Sequence, residues 1–214
     1  GQCTKIPRED IFLISRVNNC NQGYEKTISS FKESLQKLQT EYLDAFLVHW
    51  PGQDKARMLD TWKAMEHLYK KGKVKSIGVC NFEISQLTYL LEHCEIKPMI
   101  DQVEHTPLMH DEKLISFCKE NDIQIMAWGP LLRGNLENKK MEEIAEKYNK
   151  TTAQLLLRWN IQQGIIPIPK SKNEQRLQQN IDVFDFEITK EDMEELNHMN
   201  ENHRTSFDPL TFDF

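Results

Sequence analysis

Short apolar runs alternate along the whole chain with segments in which apolar residues recur every three or four positions. The runs at 11–15, 43–49, 74–79, 99–104, 123–128 and 165–168 are short, apolar and β-branched, and they read as strands buried on both faces. The periodic segments at 24–38, 57–71, 84–93, 111–121, 139–148, 151–163 and 174–183 read as amphipathic helices. Thr189 followed by Asp192 caps a last helix at 190–197, and an Asp/Phe-rich tail runs from 204 to 214. A helix in every connection implies parallel strands and an α/β fold, as an open sheet or a barrel. Function then falls at the C-terminal ends of the strands.

Composition narrows the class. With 214 residues, 39% hydrophobic and 28% charged, the chain has the makeup of one globular domain spanning 1–214 with one substantial core. A net charge of -6 argues against general nucleic-acid binding. No apolar stretch approaches the roughly 20 residues needed to span a bilayer, and the start lacks a signal pattern, so a cytoplasmic protein is expected. Cys3, Cys20, Cys80, Cys94 and Cys118 show no CxxC spacing and are expected to be reduced. His93, His105 and His110 lack helical ligand spacing, and no metal site is expected. A segment from Lys5 through Pro7-Arg8-Glu9-Asp10 leads into the first strand.

The strand ends carry the candidate chemistry. Lys170-Ser171 follows the sixth apolar run and opens into a helix bearing Arg176 and Asn180. A helix N-terminus, a lysine point charge and a planar guanidinium suit a phosphate monoester, or the segment is an ordinary strand-to-helix loop. His49-Trp50-Pro51 closes the second strand, where the imidazole either donates to a carbonyl oxygen beside a small apolar pocket or caps a strand next to a packed indole. Asn81 ends the third strand and Gln102 sits in the fourth, a carboxamide pair suited to gripping another carboxamide. Trp128 ends the fifth and offers a flat face for a heteroaromatic ring. An amide grip, a stacking indole and a phosphate site at one set of strand ends together describe a nicotinamide dinucleotide, held without a GxGxxG loop.

Several longer motifs occur in order: Arg8-Glu9-Asp10, Leu47-Val48-His49-Trp50-Pro51, Ser76-Ile77-Gly78-Val79-Cys80-Asn81-Phe82, Asp101-Gln102-Val103-Glu104, and Ile168-Pro169-Lys170-Ser171 followed by Arg176 and Asn180. From Arg8 to Phe214 the chain resembles the aldo-keto reductase family, in its bacterial branch of glyoxal/methylglyoxal and 2,5-diketo-gluconate reductases. The resemblance implies a (β/α)8 TIM barrel, NADPH, and reduction of small aldehydes or ketones by hydride transfer. It implies that His49 orients the carbonyl, that Cys80, Asn81 and Gln102 face the carboxamide, and that Trp128 stacks on the nicotinamide. Gly129 and Leu131 would approach the pyrophosphate. Lys170, Ser171 and Arg176 would take the 2'-phosphate, with Gln179 and Asn180 near adenine, and Trp50 would line the substrate pocket.

The chain also departs from the family pattern. The family's acid tyrosine and partner aspartate lie on and just after the second barrel strand, before Gly1 in this numbering. The chain is therefore expected to supply about six β/α units, without the two N-terminal ones. Arg16 stands where the resemblance implies a catalytic lysine, Asn18 where an aromatic lines the pocket, Asp101 for an asparagine, Thr106 for a proline after His105, and Gly129 for a serine. Arginine keeps the charge but not the hydrogen-bond geometry. Two readings follow: an NADPH-dependent reductase, or a catalytically inactive relative that binds NADPH or persists only as a structural remnant. A monomer is expected if the barrel is complete, and a dimer through the open edges if it is truncated.

Overall fold

The computed structural model describes residues 6–214; Cys3 and Lys5 lie outside them. Six strands, β1 (Ile14–Val17), β2 (Leu43–Val48), β3 (Val74–Cys80), β4 (Ile100–Glu104), β5 (Gln124–Trp128) and β6 (Ile166–Pro167), lie in one sheet in sequence order. The helices are α1 (Tyr24–Leu38), α2 (Lys55–Lys70), α3 (Ile84–His93), α4 (Glu112–Glu120), α5 (Lys139–Lys147), α6 (Thr152–Gln162), α7 (Glu174–Ile181) and α8 (Lys190–Asn197). The alternating parallel architecture read from the sequence is the architecture observed. The chain forms two compact units. One is the described part of Gly1–Asp101 with Phe117–Gln124 and Phe207–Phe214; the other is Gln102–Ser116 with Ile125–Ser206.

In the first unit, β2 is buried at all six positions and pairs in parallel with β1 and β3. The register sets Val17 beside Val48 and Val48 beside Val79, so the three strands end level and the residues that follow leave the sheet together. Phe31 of α1 packs edge-on against Phe46, with ring centroids 5.1 Å apart. The one charge inside β2, Asp44, is held by Arg8 and Lys75, each at 2.8 Å. Burial raises the Asp44 pKa, but hydrogen bonds from Lys75, Leu13 N–H and Arg8 outweigh it and bring it down to about 2.

The same aspartate explains a shift in the first strand, expected at 11–15 and found at Ile14–Val17. Leu13 N–H donates to Asp44 Oδ2 at 2.9 Å and the Arg8 guanidinium to Ile11 O at 2.7 Å, so side chains take two of the backbone groups in this stretch, while Leu13 O still accepts from the Asp44 and Ala45 N–H groups of β2. Burial on both faces also fails at the terminal strands: β1 keeps one buried residue of four and β6 none, since among the described residues each has a strand on one side only. Helix α2 begins at Lys55 rather than 57 because the Asp54 side chain accepts from Arg57 N–H.

In the second unit, α5, α6 and α8 enclose a core of Met141, Ile144, Leu155, Leu156, Trp159 and Leu196. Thr151 and Gln154 form a capping box at α6, and Thr189 caps α8 as its sequence indicated. Strand β6 pairs with β5 in parallel, Met126 beside Ile166 and Ala127 beside Pro167. Helix α7 stops at Ile181 rather than 183, and none of its eight residues is buried.

Candidate active site

In the first unit the level strand ends bring together Arg16, His49, Cys80 and Asn81. The backbone of His49 is clamped from both sides: its N–H donates to Val17 O at 3.2 Å, and its carbonyl accepts from Asn81 Nδ2 at 3.2 Å. Asn81 is buried and adopts a left-handed backbone (φ 60°), which asparagine tolerates better than most residues. Burial lowers the pKa of the half-buried His49, and the positive charge of Arg16 lowers it further. The imidazole is therefore neutral at physiological pH and able to donate one N–H. Burial raises the Cys80 thiol pKa against the opposing charge of Arg16, so Cys80 is a protonated wall residue rather than a thiolate.

Next to this cluster lies a buried acid. Asp101 is fully buried; Phe82 N–H approaches its Oδ1 at 3.5 Å, and its Oδ2 has no partner among the described residues. Burial pushes its pKa well above the ordinary carboxylate value, against the Phe82 N–H. The buried Cys118 thiol feels the same aspartate. That a β4 residue is a buried acid was not apparent from the motif alone.

Trp50 is buried in an aromatic cluster formed with the C-terminal tail. Its ring is 5.0 Å from Phe212 and 6.1 Å from Phe207, which stack on each other at 4.3 Å. Gln86 Nε2 donates to Pro209 O at 2.8 Å and Gln53 Nε2 to Phe212 O at 3.1 Å, and together they pin the tail. Phe207 and Phe212 were not identified from sequence, although an unusually Phe-rich tail was the available signal.

In the second unit, Gln102 is buried and Trp128 half-buried, with the Arg133 guanidinium 5.4 Å from the indole centroid. Gly129 follows with φ 66° and open space where a Cβ would stand, and half-buried Leu131 accepts from Gly134 N–H at 2.8 Å. The pairing of Ala127 with Pro167 ends β5 and β6 level, so Trp128 and the Lys170 segment leave adjacent strands. Asn173 caps α7 by accepting from Arg176 N–H at 3.0 Å, and Ser171 Oγ accepts from Asn173 N–H at 3.1 Å. Lys170, Arg176 and Gln179 are exposed. Half-buried Asn180 has a fully buried Nδ2 without a partner among the described residues.

These features fit a phosphate-bearing nucleotide: two exposed cations at a capped helix start, an open left-handed glycine turn, and a carboxamide donor awaiting an acceptor. Parallel β/α units in sequence order with polar groups at the strand ends define the α/β class to which (β/α)8 barrel enzymes belong.

A model of the aldo/keto reductase family matches residues 1–201, and the chain belongs to that family. It is 47% identical over 205 residues to the glyoxal reductase of Bacillus subtilis, covering 95% of this chain and 74% of that protein. Among solved structures, the aldo-keto reductase MGS-M4 from a Medee basin deep-sea metagenome library superposes with a TM-score of 0.95 at 40% identity, covering 99% of this chain and 79% of that one. A Gox0644 mutant in complex with NADPH gives 0.93 at 37% identity, covering 97% and 77%. The chain thus spans about three quarters of the proteins it matches. No helix among the described residues is long and apolar enough to cross a membrane.

Proposed function

We propose that the chain binds NADPH and serves the reduction of small aldehydes or ketones of the glyoxal or keto-sugar class. The observation that carries the reading is the junction of β6 and α7, where Lys170, Ser171 and Arg176 flank a capped helix start in sequence and Asn180 keeps a donor without a partner among the described residues. In this reading Lys170, Ser171 and Arg176 hold the 2'-phosphate, Gln179 and Asn180 face adenine, and Gly129 with Leu131 approaches the pyrophosphate. Cys80, Asn81 and Gln102 face the carboxamide, and Trp128 stacks on the ring. When bound, the nicotinamide would supply a hydride to the carbonyl carbon, and the alkoxide formed would take its proton from water. Neutral His49 donates to the carbonyl oxygen, oriented through its Asn81-clamped backbone, while Trp50 with its Phe207 and Phe212 cover shapes the wall of the substrate pocket.

A second reading, binding without turnover, is favoured by Arg16. Its fork stands at the end of β1 where the family resemblance implies a lysine, and it keeps the positive charge without that geometry. Nicotinamide absorbance in the presence of NADPH and methylglyoxal separates the two. The reductase reading expects a substrate-dependent fall that slows roughly 100-fold or more in His49→Ala, as loss of a positioned donor does. A flat trace from a chain that still binds NADPH refutes turnover and leaves the second reading.

A further inference from the structure

Two buried aspartates in the first unit are handled in opposite ways. Asp44 on β2 is met by Arg8 and Lys75 at 2.8 Å each and by the Leu13 N–H at 2.9 Å, which is how a buried carboxylate keeps its charge. Asp101 on β4 is buried more completely, at 0% exposed against 3% for Asp44. Among the described residues its carboxyl has one hydrogen-bond contact, the Phe82 N–H at 3.5 Å from Oδ1, and its Oδ2 has none. Ionised in this setting, it would be a buried charge without a counter-ion. The groups that sense it offer no compensation: Glu83 at the N-cap of α3 is itself acidic, and the thiols of Cys80 on β3 and Cys118 on α4 are held protonated by burial. The cation of this region, Arg16, acts on Cys80 and His49.

What Asp101 touches is the turn that carries Asn81. The Phe82 N–H belongs to the same planar peptide as the Asn81 carbonyl, so holding that N–H fixes the backbone rotation on the far side of Asn81. The left-handed φ of 60° at Asn81 costs a non-glycine residue energy and persists where its surroundings fix it. From that turn Asn81 Nδ2 reaches back to the His49 carbonyl at 3.2 Å. An uncharged carboxyl sits in this enclosure at far smaller cost than a charged one, which draws in water or pushes the turn outward; either moves the peptide joining Asn81 to Phe82.

We infer that Asp101 is a positioning residue: its uncharged carboxyl holds the turn at Asn81 and Phe82 in the shape that grips a carboxamide, and ionising it releases the grip. The inference rests on the proposed function, in which Asn81 faces the nicotinamide carboxamide, and deepens it by making that grip depend on one proton.

The test follows the amide resonance of Phe82 in the isotope-labelled chain from pH 6 to pH 9 without ligand, alongside NADPH affinity read from tryptophan fluorescence. In the wild type the resonance is expected to shift with pH, whereas in Asp101→Asn, which keeps the acceptor and cannot ionise, it stays in place. Affinity falls in proportion to the uncharged fraction, so the wild type is expected to lose at least tenfold more affinity over this range than Asp101→Asn, whose own profile carries every other titration, the 2'-phosphate included. Asp101→Leu removes the acceptor at similar volume and is expected to bind at least tenfold more weakly than Asp101→Asn at every pH. Equal affinity of these two variants overturns the positioning role, and if the leucine variant does not fold the asparagine comparison carries the test. A Phe82 resonance that stays fixed in the wild type, or moves equally in Asp101→Asn, overturns the inference whether or not nucleotide binds. Parallel affinity profiles beside a moving resonance overturn the link to the grip. A folded chain that binds no NADPH at pH 6 refutes the nucleotide reading instead, and the Phe82 resonance still decides whether Asp101 holds the turn.

Discussion

Gly78 fixes how closely β3 approaches its neighbours, and Gly78→Ala makes that closeness measurable. A Cβ at this position would stand 2.5 Å from Ile100 O, 2.8 Å from Ile100 Cβ and 2.9 Å from Leu47 Cδ2. The nearest of these atoms is backbone and cannot rotate away, so strands must part by roughly an ångström to restore van der Waals distance. Overpacking a core costs about 1–3 kcal/mol, and a clash with a strand carbonyl belongs at the upper end, about 3 kcal/mol. At roughly 2–4 °C per kcal/mol for a chain of this size, Tm is expected to fall by roughly 6–12 °C.

Because Cys80 and Asn81 follow two and three residues later, the displaced strand also loosens the bond from Asn81 to His49 O and weakens any ligand gripped by Asn81. The comparison is Gly72→Ala, at a turn with φ 64° and nothing within 4 Å of the added carbon. There the cost is left-handed strain alone, about 1–2 kcal/mol. Calorimetry that shows Gly78→Ala to be no more damaging than Gly72→Ala refutes the steric argument.

Two further predictions concern pH. The raised pKa of buried Asp101 means that the folded state binds a proton the unfolded state releases, so its favourable contribution is present below the unfolded value of 3.8 and declines as pH rises. Asp101→Asn is therefore expected to raise Tm at pH 8, with the gain shrinking towards pH 4; a variant less stable at pH 8 refutes this. His105 has the opposite sign. Burial lowers its pKa from 6.5 to about 3, against the bond from its Nδ1 to Asn160 Oδ1 at 2.9 Å, so stability is lost as pH falls below 6.5 towards 3. At pH 5 the loss is about 2 kcal/mol, read as a lower urea midpoint that His105→Gln makes flatter with pH, whereas an unchanged pH profile in the variant refutes the assignment.

How much of this was legible in the sequence depended on the range of the contacts. Helices α1, α3 and α8 were bounded correctly because helix periodicity and capping are local, as Thr189 with Asp192 shows. The first strand was placed three residues early because the Leu13 N–H is taken by the Asp44 side chain and the Ile11 carbonyl by Arg8, and Asp44 lies more than thirty positions away. The exposure of β1, β6 and α7 was not legible, since apolar composition reports what a segment can bury and not whether a neighbour is present.

The site divides in the same way. His49, Asn81, Trp128 and the Lys170 segment were named from residue chemistry at expected strand ends; the structure supplies the level register of those ends in each unit, and the roles of the residues are the proposal above. The covering of Trp50 by Phe207 and Phe212 depends on contacts across more than 150 residues, which no local pattern reports.

The central claim is that the β6–α7 junction is a phosphate-recognising half of an NADPH site. The most direct measurement is a titration of the folded chain with NADPH and with NADH, following the fluorescence of Trp128, which is half-buried where Trp50, Trp62 and Trp159 are buried. Saturable quenching by NADPH is predicted, lost in Trp128→Phe. Arg176→Ala should weaken NADPH about tenfold or more while leaving NADH within twofold, because only NADPH carries the 2'-phosphate. No saturable quenching from a folded sample, or equal weakening of both nucleotides, would contradict the account.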